Sequence, residues 1–354
     1  MAPGLGVAPG RPVLLNRRAA IRPTITGVER WTAEVISRLR ALDPERYAIA
    51  QPPPRARRRA AGQAWEQTAL PAQAARMRAA LVFSPANLAP VLWPRNVLVM
   101  HDAAILREPD AYSRAYRLWH RYAGLACARR ALRVITVSEF SRQELIRLAG
   151  LDPARTAVIG GGVGESFHPR ADPAPVARRL GLPRPYVLTI ATHDRRKNLP
   201  ALAPAAAALH ELGIDLVHAG DTRPYFAATD GGGAMRSLGY VTDGDLPGLY
   251  AGARAFVLPS RYEGFGLTCL EAMACGVPVV AANRAALPET CGDAAQLVDP
   301  DDRSALAQAV VAAATDESLR RRLRAAGLRR AAHFSWDRTA REVHALLLSL
   351  TSAL

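Results

Sequence analysis

Apolar positions along the chain fall into short runs separated by stretches of helical spacing. Pro12-Val-Leu-Leu15 predicts a first strand, and Val28, Trp31, Val35, Ile36 and Leu39 then recur at the period of a helix. The loop from Pro23 to Gly27 joins them, so the chain opens as strand, loop, helix, the start of a βαβ unit. Residues 51–62, with Pro52-Pro-Pro54 and Arg57-Arg-Arg59, predict an exposed loop. Leu81–Phe83, Asn96–Met100 and Val134–Val137 read as further strands, with helices over 112–131 and 139–149. Proline-rich His168–Pro175 reads as a linker, because proline fixes φ and removes backbone donors.

The alternation then resumes. Tyr186–Ile190, Asp215–His218, Ala255–Leu258 and Val277–Ala281 predict strands. Residues 199–212, Leu246–Ala253 and Leu267–Ala274 predict helices, and 303–331 predicts one or two more. Gly276 and Pro278 supply the stop signal after Ala274. The expected fold is α/β: two units with mostly parallel sheets, residues 1–170 and 176–333, and a C-terminal segment 334–354. Ligands of such sheets bind beyond the carboxyl ends of the strands, where the strand order reverses, so the cleft between the units is the expected site.

Composition agrees with a globular chain: 49% of the 354 residues are apolar and 22% charged. No apolar run approaches a membrane span, and residues 1–10 lack the basic head and apolar stretch of a signal peptide. The four cysteines, Cys127, Cys269, Cys275 and Cys291, have no metal-ligand spacing and read as small buried hydrophobes. The net charge of +15 is unevenly spread: residues 1–175 carry 26 arginines against 13 acidic residues. A basic half admits nucleic acid, an anionic membrane surface or a plain solvated face. Of 46 basic residues only Lys197 is a lysine. An ammonium is a compact point charge that arginine's planar fork does not reproduce, which marks Lys197 for a specific task.

The chemistry concentrates between Pro259 and Gly276. A strand end runs through a loop bearing Glu263, Gly264 and Gly266 into a helix that carries Glu271. The helix N-terminus suits a phosphate, the glycines allow close backbone approach, and carboxylates accept bonds from sugar hydroxyls. This stretch resembles the E-x7-E donor motif of retaining GT-B glycosyltransferases, most like glycosyltransferase family 4. Gly239–Ala253, Ala274–Val280, Leu287-Pro-Glu289, Gly292–Pro300 and Phe334-Ser-Trp336 continue the similarity. Gly27-Val-Glu-Arg30, His101-Asp102 and Val137-Ser-Glu-Phe-Ser141 extend it more loosely into the first half. Two stretches depart from the family's usual pattern, Ile159-Gly-Gly-Gly-Val163 and Thr189-Ile-Ala-Thr192.

The resemblance implies a GT-B fold, two Rossmann-like domains facing a cleft, with a C-terminal helix crossing back to the first. It implies an acceptor-binding first domain and a donor-binding second one. Glu271 would hold the donor ribose and Glu263 a hydroxyl of the transferred hexose. Amides of Phe265, Gly266 and Leu267, beside Gly264, would face the sugar and diphosphate. Arg196 and Lys197 would neutralise the departing diphosphate in place of a metal. Tyr240 and Val241 would line the base pocket, His101 would lie near the transferred sugar, and Gly27 near the diphosphate or acceptor. The implied reaction is retaining transfer of a mannose-, glucose- or rhamnose-type hexose to a glycan or lipid-linked acceptor in cell-surface polysaccharide synthesis. It needs no cofactor and no nucleic acid. The implied setting is cytoplasmic, with the basic half able to rest on the inner membrane face. An NAD(P)-dependent oxidoreductase is the alternative of another class, but Gly160–Gly164 opens no helix as a dinucleotide fingerprint must. A non-catalytic binder of nucleic acid or of an anionic surface is a third reading, and it predicts tight binding with a steep salt dependence.

Overall fold

A computed structural model describes residues 11–22, 25–56, 59–221 and 235–353. The signal-peptide reading of residues 1–10, Pro23 and Thr24 of the first loop, and Arg57 and Arg58 of the second lie outside these. Among the described residues, twelve strands form two six-stranded sheets. The first holds β1 (Val13–Asn16), β2 (Tyr47–Ala50), β3 (Leu81–Ser84), β4 (Asn96–Val99), β5 (Arg133–Thr136) and β6 (Thr156–Val158), in the order β2-β1-β3-β4-β5-β6. The second holds β7 (Tyr186–Ile190), β8 (Asp215–Ala219), β9 (Arg236–Ser237), β10 (Ala255–Leu258), β11 (Val279–Ala282) and β12 (Ala295–Val298), in the order β12-β11-β10-β7-β8-β9. Every strand pair is parallel.

Helices cover both faces of each sheet, so successive residues of a central strand enter different cores. Leu188, Phe256 and Val279 join one apolar cluster, while Val187, Val257 and Val280 join another across the sheet. In the first sheet Val13 and Leu15 face one cluster and Leu14 a second. A strand buried on both faces must be apolar throughout, which is why these strands appear in the sequence as unbroken runs.

The predicted loop over 51–62 is shorter than expected. A helix already begins at Arg59 and runs to Gln67. It is tied down by Glu66, which is buried and accepts from Asn16 Nδ2 at 2.6 Å while pairing with Arg18 at 3.0 Å. The helical stretch expected over 112–131 is present but passes through a wider π turn at His120–Gly124.

The chain's last helix, Trp336–Ser352, packs on the first sheet's side, against the Gly27–Leu42 helix. Trp336, Val343 and Leu347 are buried in the cluster that contains Val13, Trp31 and Val35. Entry to this helix crosses the outgoing chain: Val163 N donates to Phe334 O at 3.1 Å, and Val163 bridges Ser335 in parallel. A side chain at Gly162 would overlap the Trp336 amide nitrogen. The glycine run at 160–162 therefore serves a chain crossing.

Candidate active site

Strand order explains how distant residues meet. In the second sheet the order reverses between β7 and β10, which lie side by side. The loops leaving their carboxyl ends, 191–198 and 259–266, therefore meet at the crevice where such sheets bind ligands. The first loop is shaped by Asp194, whose carboxylate accepts from Arg196 N at 3.0 Å and caps the short Arg195–Lys197 turn. Asn198 ends that turn in the left-handed region at φ 52°. Its amide stitches the loop to its neighbours by donating to Pro259 O at 3.3 Å and Pro300 O at 2.8 Å. Arg261 N donates to Arg196 O at 2.7 Å and closes the pair of loops.

Lys197 Nζ lies 2.7 Å from Glu263 Oε1, both side chains being largely shielded from water. Arg196 is buried, 3.2 Å from Asp194 Oδ1, with its guanidinium 5.4 Å from the Tyr112 ring centre. Burial alone would weaken its charge, but Tyr112, Asp194, Asp102 and Glu263 around it hold its pKa above the ordinary value.

Beyond Glu263 the chain passes Gly264 and turns at Gly266, φ 102°, into the Leu267–Ala274 helix. The first amides of a helix have no acceptor within it and carry its positive end. One turn in, Glu271 is buried and accepts from the Tyr250 hydroxyl at 3.0 Å through Oε2. Burial raises its pKa, opposed by Arg30 and by the Tyr250 bond.

The first sheet supplies the facing wall, and its order reverses between β1 and β3. Gly27 opens the Gly27–Leu42 helix, which a Thr26–Glu29 capping box starts. Arg30, in the first turn, reaches across the cleft to Glu271 Oε1 at 3.1 Å and Asp243 Oδ1 at 2.8 Å. His101 follows β4 and is buried, its ring edge-on to Trp31 at 5.6 Å. Its Nε2 is 2.9 Å from Pro85 O. A carbonyl only accepts, so Nε2 carries the proton and Nδ1 is the acceptor in the neutral ring. Burial lowers the His101 pKa, outweighing that bond and the nearby acids, which favours this neutral form. On the same wall Tyr112 and Tyr116 stack at 5.4 Å, with His120 4.1 Å from Tyr116.

Direct bonds join the walls. Ser138 Oγ and Ser141 Oγ donate to Gly264 O at 2.7 and 3.0 Å. Glu289 accepts from the amides of Glu139 and Phe140, at 2.8 and 3.0 Å, at the start of the Glu139–Ala149 helix. A Cβ on Gly264 would stand 2.5 Å from His101 O, so the approach needs glycine there.

All twelve residues singled out in the sequence line one cavity of about 590 Å³: Gly27 and His101 from the first wall, and Arg196, Lys197, Tyr240, Val241, Glu263, Gly264, Phe265, Gly266, Leu267 and Glu271 from the second. Val241 is buried, whereas Tyr240 is exposed at the rim. Arg30, Asp194 and Tyr112 were not singled out; Arg30 and Tyr112 line the same cavity and Asp194 holds Arg196 from behind. Ser141 and Glu289 lay within stretches noted for resemblance, but nothing local in the sequence discloses a partner across the cleft. Among the described residues, no group of three or more His, Cys, Asp or Glu is placed to hold a metal ion.

Two facing parallel sheets, a helix returning to the first, and paired loops at the second sheet's switch point define a GT-B glycosyltransferase fold. Solved structures agree on the fold. Sucrose-phosphate synthase from Thermosynechococcus elongatus matches with a TM-score of 0.78 at 21% identity, covering 97% of this chain and all of that one. HepE from Anabaena, solved in complex with UDP-glucose, matches at 0.73 and 18% identity, covering 96% and 99%. The model of the glycosyltransferase family 4 matches residues 25–167, and that of the glycosyl transferases group 1 matches residues 184–316. The O-antigen chain mannosyltransferase B of Escherichia coli is 36% identical over 256 residues, 69% of this chain and 67% of that protein. The serotype-specific mannosyltransferase WbdA of Escherichia coli is 31% identical over 263 residues, 70% of this chain but only 32% of WbdA. The chain belongs to the family 4, group 1 glycosyltransferases.

Proposed function

We propose that the protein is a retaining, metal-independent hexosyltransferase. It moves mannose from a nucleotide-sugar to a glycan or lipid-linked acceptor in cell-surface polysaccharide synthesis. The observation that carries this reading is the meeting of Lys197, Arg196, Glu263 and Glu271 on one cavity at the second sheet's switch point. The residues at 176–333 bind the donor and those at 1–170 the acceptor, while 334–354 ties the second unit to the first. Glu271 accepts from the donor ribose and Glu263 from a sugar hydroxyl. Val241 and Tyr240 flank the base.

As the sugar–phosphate bond breaks, negative charge grows on the diphosphate. Lys197, Arg196 and the Leu267 helix N-terminus are placed to stabilise it, in the role a metal plays elsewhere. A double displacement would need a carboxylate nucleophile on the first wall. Asp102 is the carboxylate that wall brings to the cavity, and its Oδ1 already accepts from Ala104 N at 2.9 Å; we favour front-face transfer, with the leaving phosphate taking the acceptor's proton. Mannose is favoured because two relatives carry that activity in their names. Sugar stacking on Tyr112, Tyr116 and His120 suits a carbohydrate acceptor.

A lipid-linked acceptor fits a second feature. Leu118, Trp119 and Tyr122 are exposed on the 114–130 helical stretch beside Arg114, Arg117 and Arg121, an apolar and basic face suited to an anionic leaflet. No helix among the described residues is long and apolar enough to cross a membrane. On the strength of that apolar and basic face, the setting proposed is peripheral, at the cytoplasmic side of the membrane.

The test is transfer from GDP-mannose to a mannosylated acceptor with a chelator present, followed by NMR of the new anomeric centre. The expected product keeps the donor's α configuration at an undiminished rate. A β product, or a rate that depends on added divalent cation, would contradict the proposal.

A further inference from the structure

Arg30 belongs to the first wall, yet its strongest partners lie on the second. One guanidinium nitrogen is 3.1 Å from Glu271 Oε1 and another 2.8 Å from Asp243 Oδ1. The planar group lies 5.6 Å from the Phe167 ring centre, and the side chain is only 13% exposed. The fork thus spans two carboxylates from a fixed position, a geometry that a lysine ammonium cannot reproduce. Glu271 has one oxygen on Arg30 and the other on Tyr250. Each carboxylate oxygen has two lone pairs, so each keeps one beyond these bonds, and Glu271 lines the cavity.

We propose that Arg30 is a positioning residue for the donor: reaching across the cleft, it holds Glu271 ionised and oriented to accept the ribose hydroxyls. This rests on the reading of Glu271 as the ribose carboxylate and adds to it a residue of the opposite wall. It follows that the donor pocket is complete only when the two walls are together, so donor affinity reports closure of the cleft.

The groups facing Glu271 are Arg30 on the first-wall helix, Asp243 in the loop before Leu246, Tyr250 on the Leu246–Ala251 helix, and Cys275 at the end of its own helix. Burial keeps Tyr250 protonated well beyond the usual range and pushes the Cys275 thiol up to about 12. Burial also raises the Glu271 pKa, and loss of the Arg30 charge would raise it further, so the variant's defect should shrink as pH rises.

The experiment is calorimetric titration with GDP, UDP, ADP and dTDP. The tightest ribonucleotide is then compared with its 2′,3′-dideoxy form. Arg30→Met is expected to bind the ribonucleotide about tenfold more weakly at pH 6.5 and to recover toward wild type by pH 8.5, one pKa unit being a tenfold effect. For the dideoxy nucleotide the two proteins should agree within about twofold, because the hydroxyls that Glu271 would accept are gone. Arg30→Lys, which keeps a charge and serves if the methionine variant folds poorly, should fall between. An equal penalty on both nucleotides, a penalty independent of pH, or tighter binding by Arg30→Met would overturn the inference. Glu271→Gln separates the two levels. If it weakens binding while both Arg30 variants do not, the ribose assignment stands and the inference alone fails. If Glu271→Gln binds normally, both fail.

Discussion

The wall built on the second sheet presents charge, whereas the wall built on the first presents rings. On the second, Lys197 and Glu263 meet at 2.7 Å, Arg196 is buried against Asp194, and a helix N-terminus points into the same space. On the first, Trp31 packs edge-on to His101 and Tyr112 stacks on Tyr116. A diphosphate needs fixed cations and amides in a shielded setting, where charge interactions are strong. A sugar acceptor needs flat apolar faces and a few polar atoms. The division of the cleft fits the donor and acceptor sides proposed above, and Arg30 is the main first-wall residue that crosses it.

Breaking the charged wall should have the largest effect. Lys197→Met removes the cation nearest Glu263 and is expected to lower kcat about 10²–10³-fold, the usual loss for one group that stabilises developing charge. Steady-state kinetics with saturating donor reads it, and a loss under fivefold would mean that Arg196 carries the role alone. Separating the walls comes next. Gly264→Ala places a Cβ 2.5 Å from His101 O and should cost about 1–3 kcal/mol of the closed arrangement. Small-angle scattering should then show a larger radius of gyration with each half still folded; an unchanged radius and rate would mean that the loops adjust freely.

Glu289→Gln is a milder cut. It keeps an acceptor but removes the charge at the Glu139 helix N-terminus, worth about 0.3–1 kcal/mol at an exposed site. A two- to fivefold rise in donor Kd is expected, and no change would place this contact outside closure. The smallest effect is on pH. Burial lowers the pKa of His101, and of His218 in the second half, below the unfolded value near 6.5. The unfolded chain therefore binds more protons below that pH, so stability present above about 6.5 is lost as pH falls toward the folded pKa values. Urea midpoints at pH 5.5 and 7.5 should differ less in His101→Gln than in wild type. Equal differences would assign the whole slope to other groups.

How much of this was legible in the sequence depended on burial. The eight central strands were readable, because burial on both faces requires unbroken apolar runs such as Val279–Ala282. The four that went unread, β2, β6, β9 and β12, are the four sheet edges. Edge strands are half exposed, and Thr156–Val158 or Arg236–Ser237 carry no periodic apolar signal. The donor-side residues were legible because a loop, a helix start and two glutamates lie within nine positions. That Lys197 touches Glu263, 66 positions away, follows from strand order. Arg30, Ser138 and Glu289 act on the opposite half of the molecule, and no local pattern encodes a partner 126 to 241 positions distant.

The central claim, that the charged wall holds a nucleotide-sugar, is tested most directly by thermal shift with GDP-, UDP-, ADP- and dTDP-sugars on wild type and Glu263→Ala. A ligand that binds only the folded state at 100 times its Kd adds about 2.7 kcal/mol of stability. One donor base should raise the wild-type Tm by several degrees, and the shift should largely vanish in Glu263→Ala. No shift with any of the four, or an equal shift in both proteins, would contradict the account.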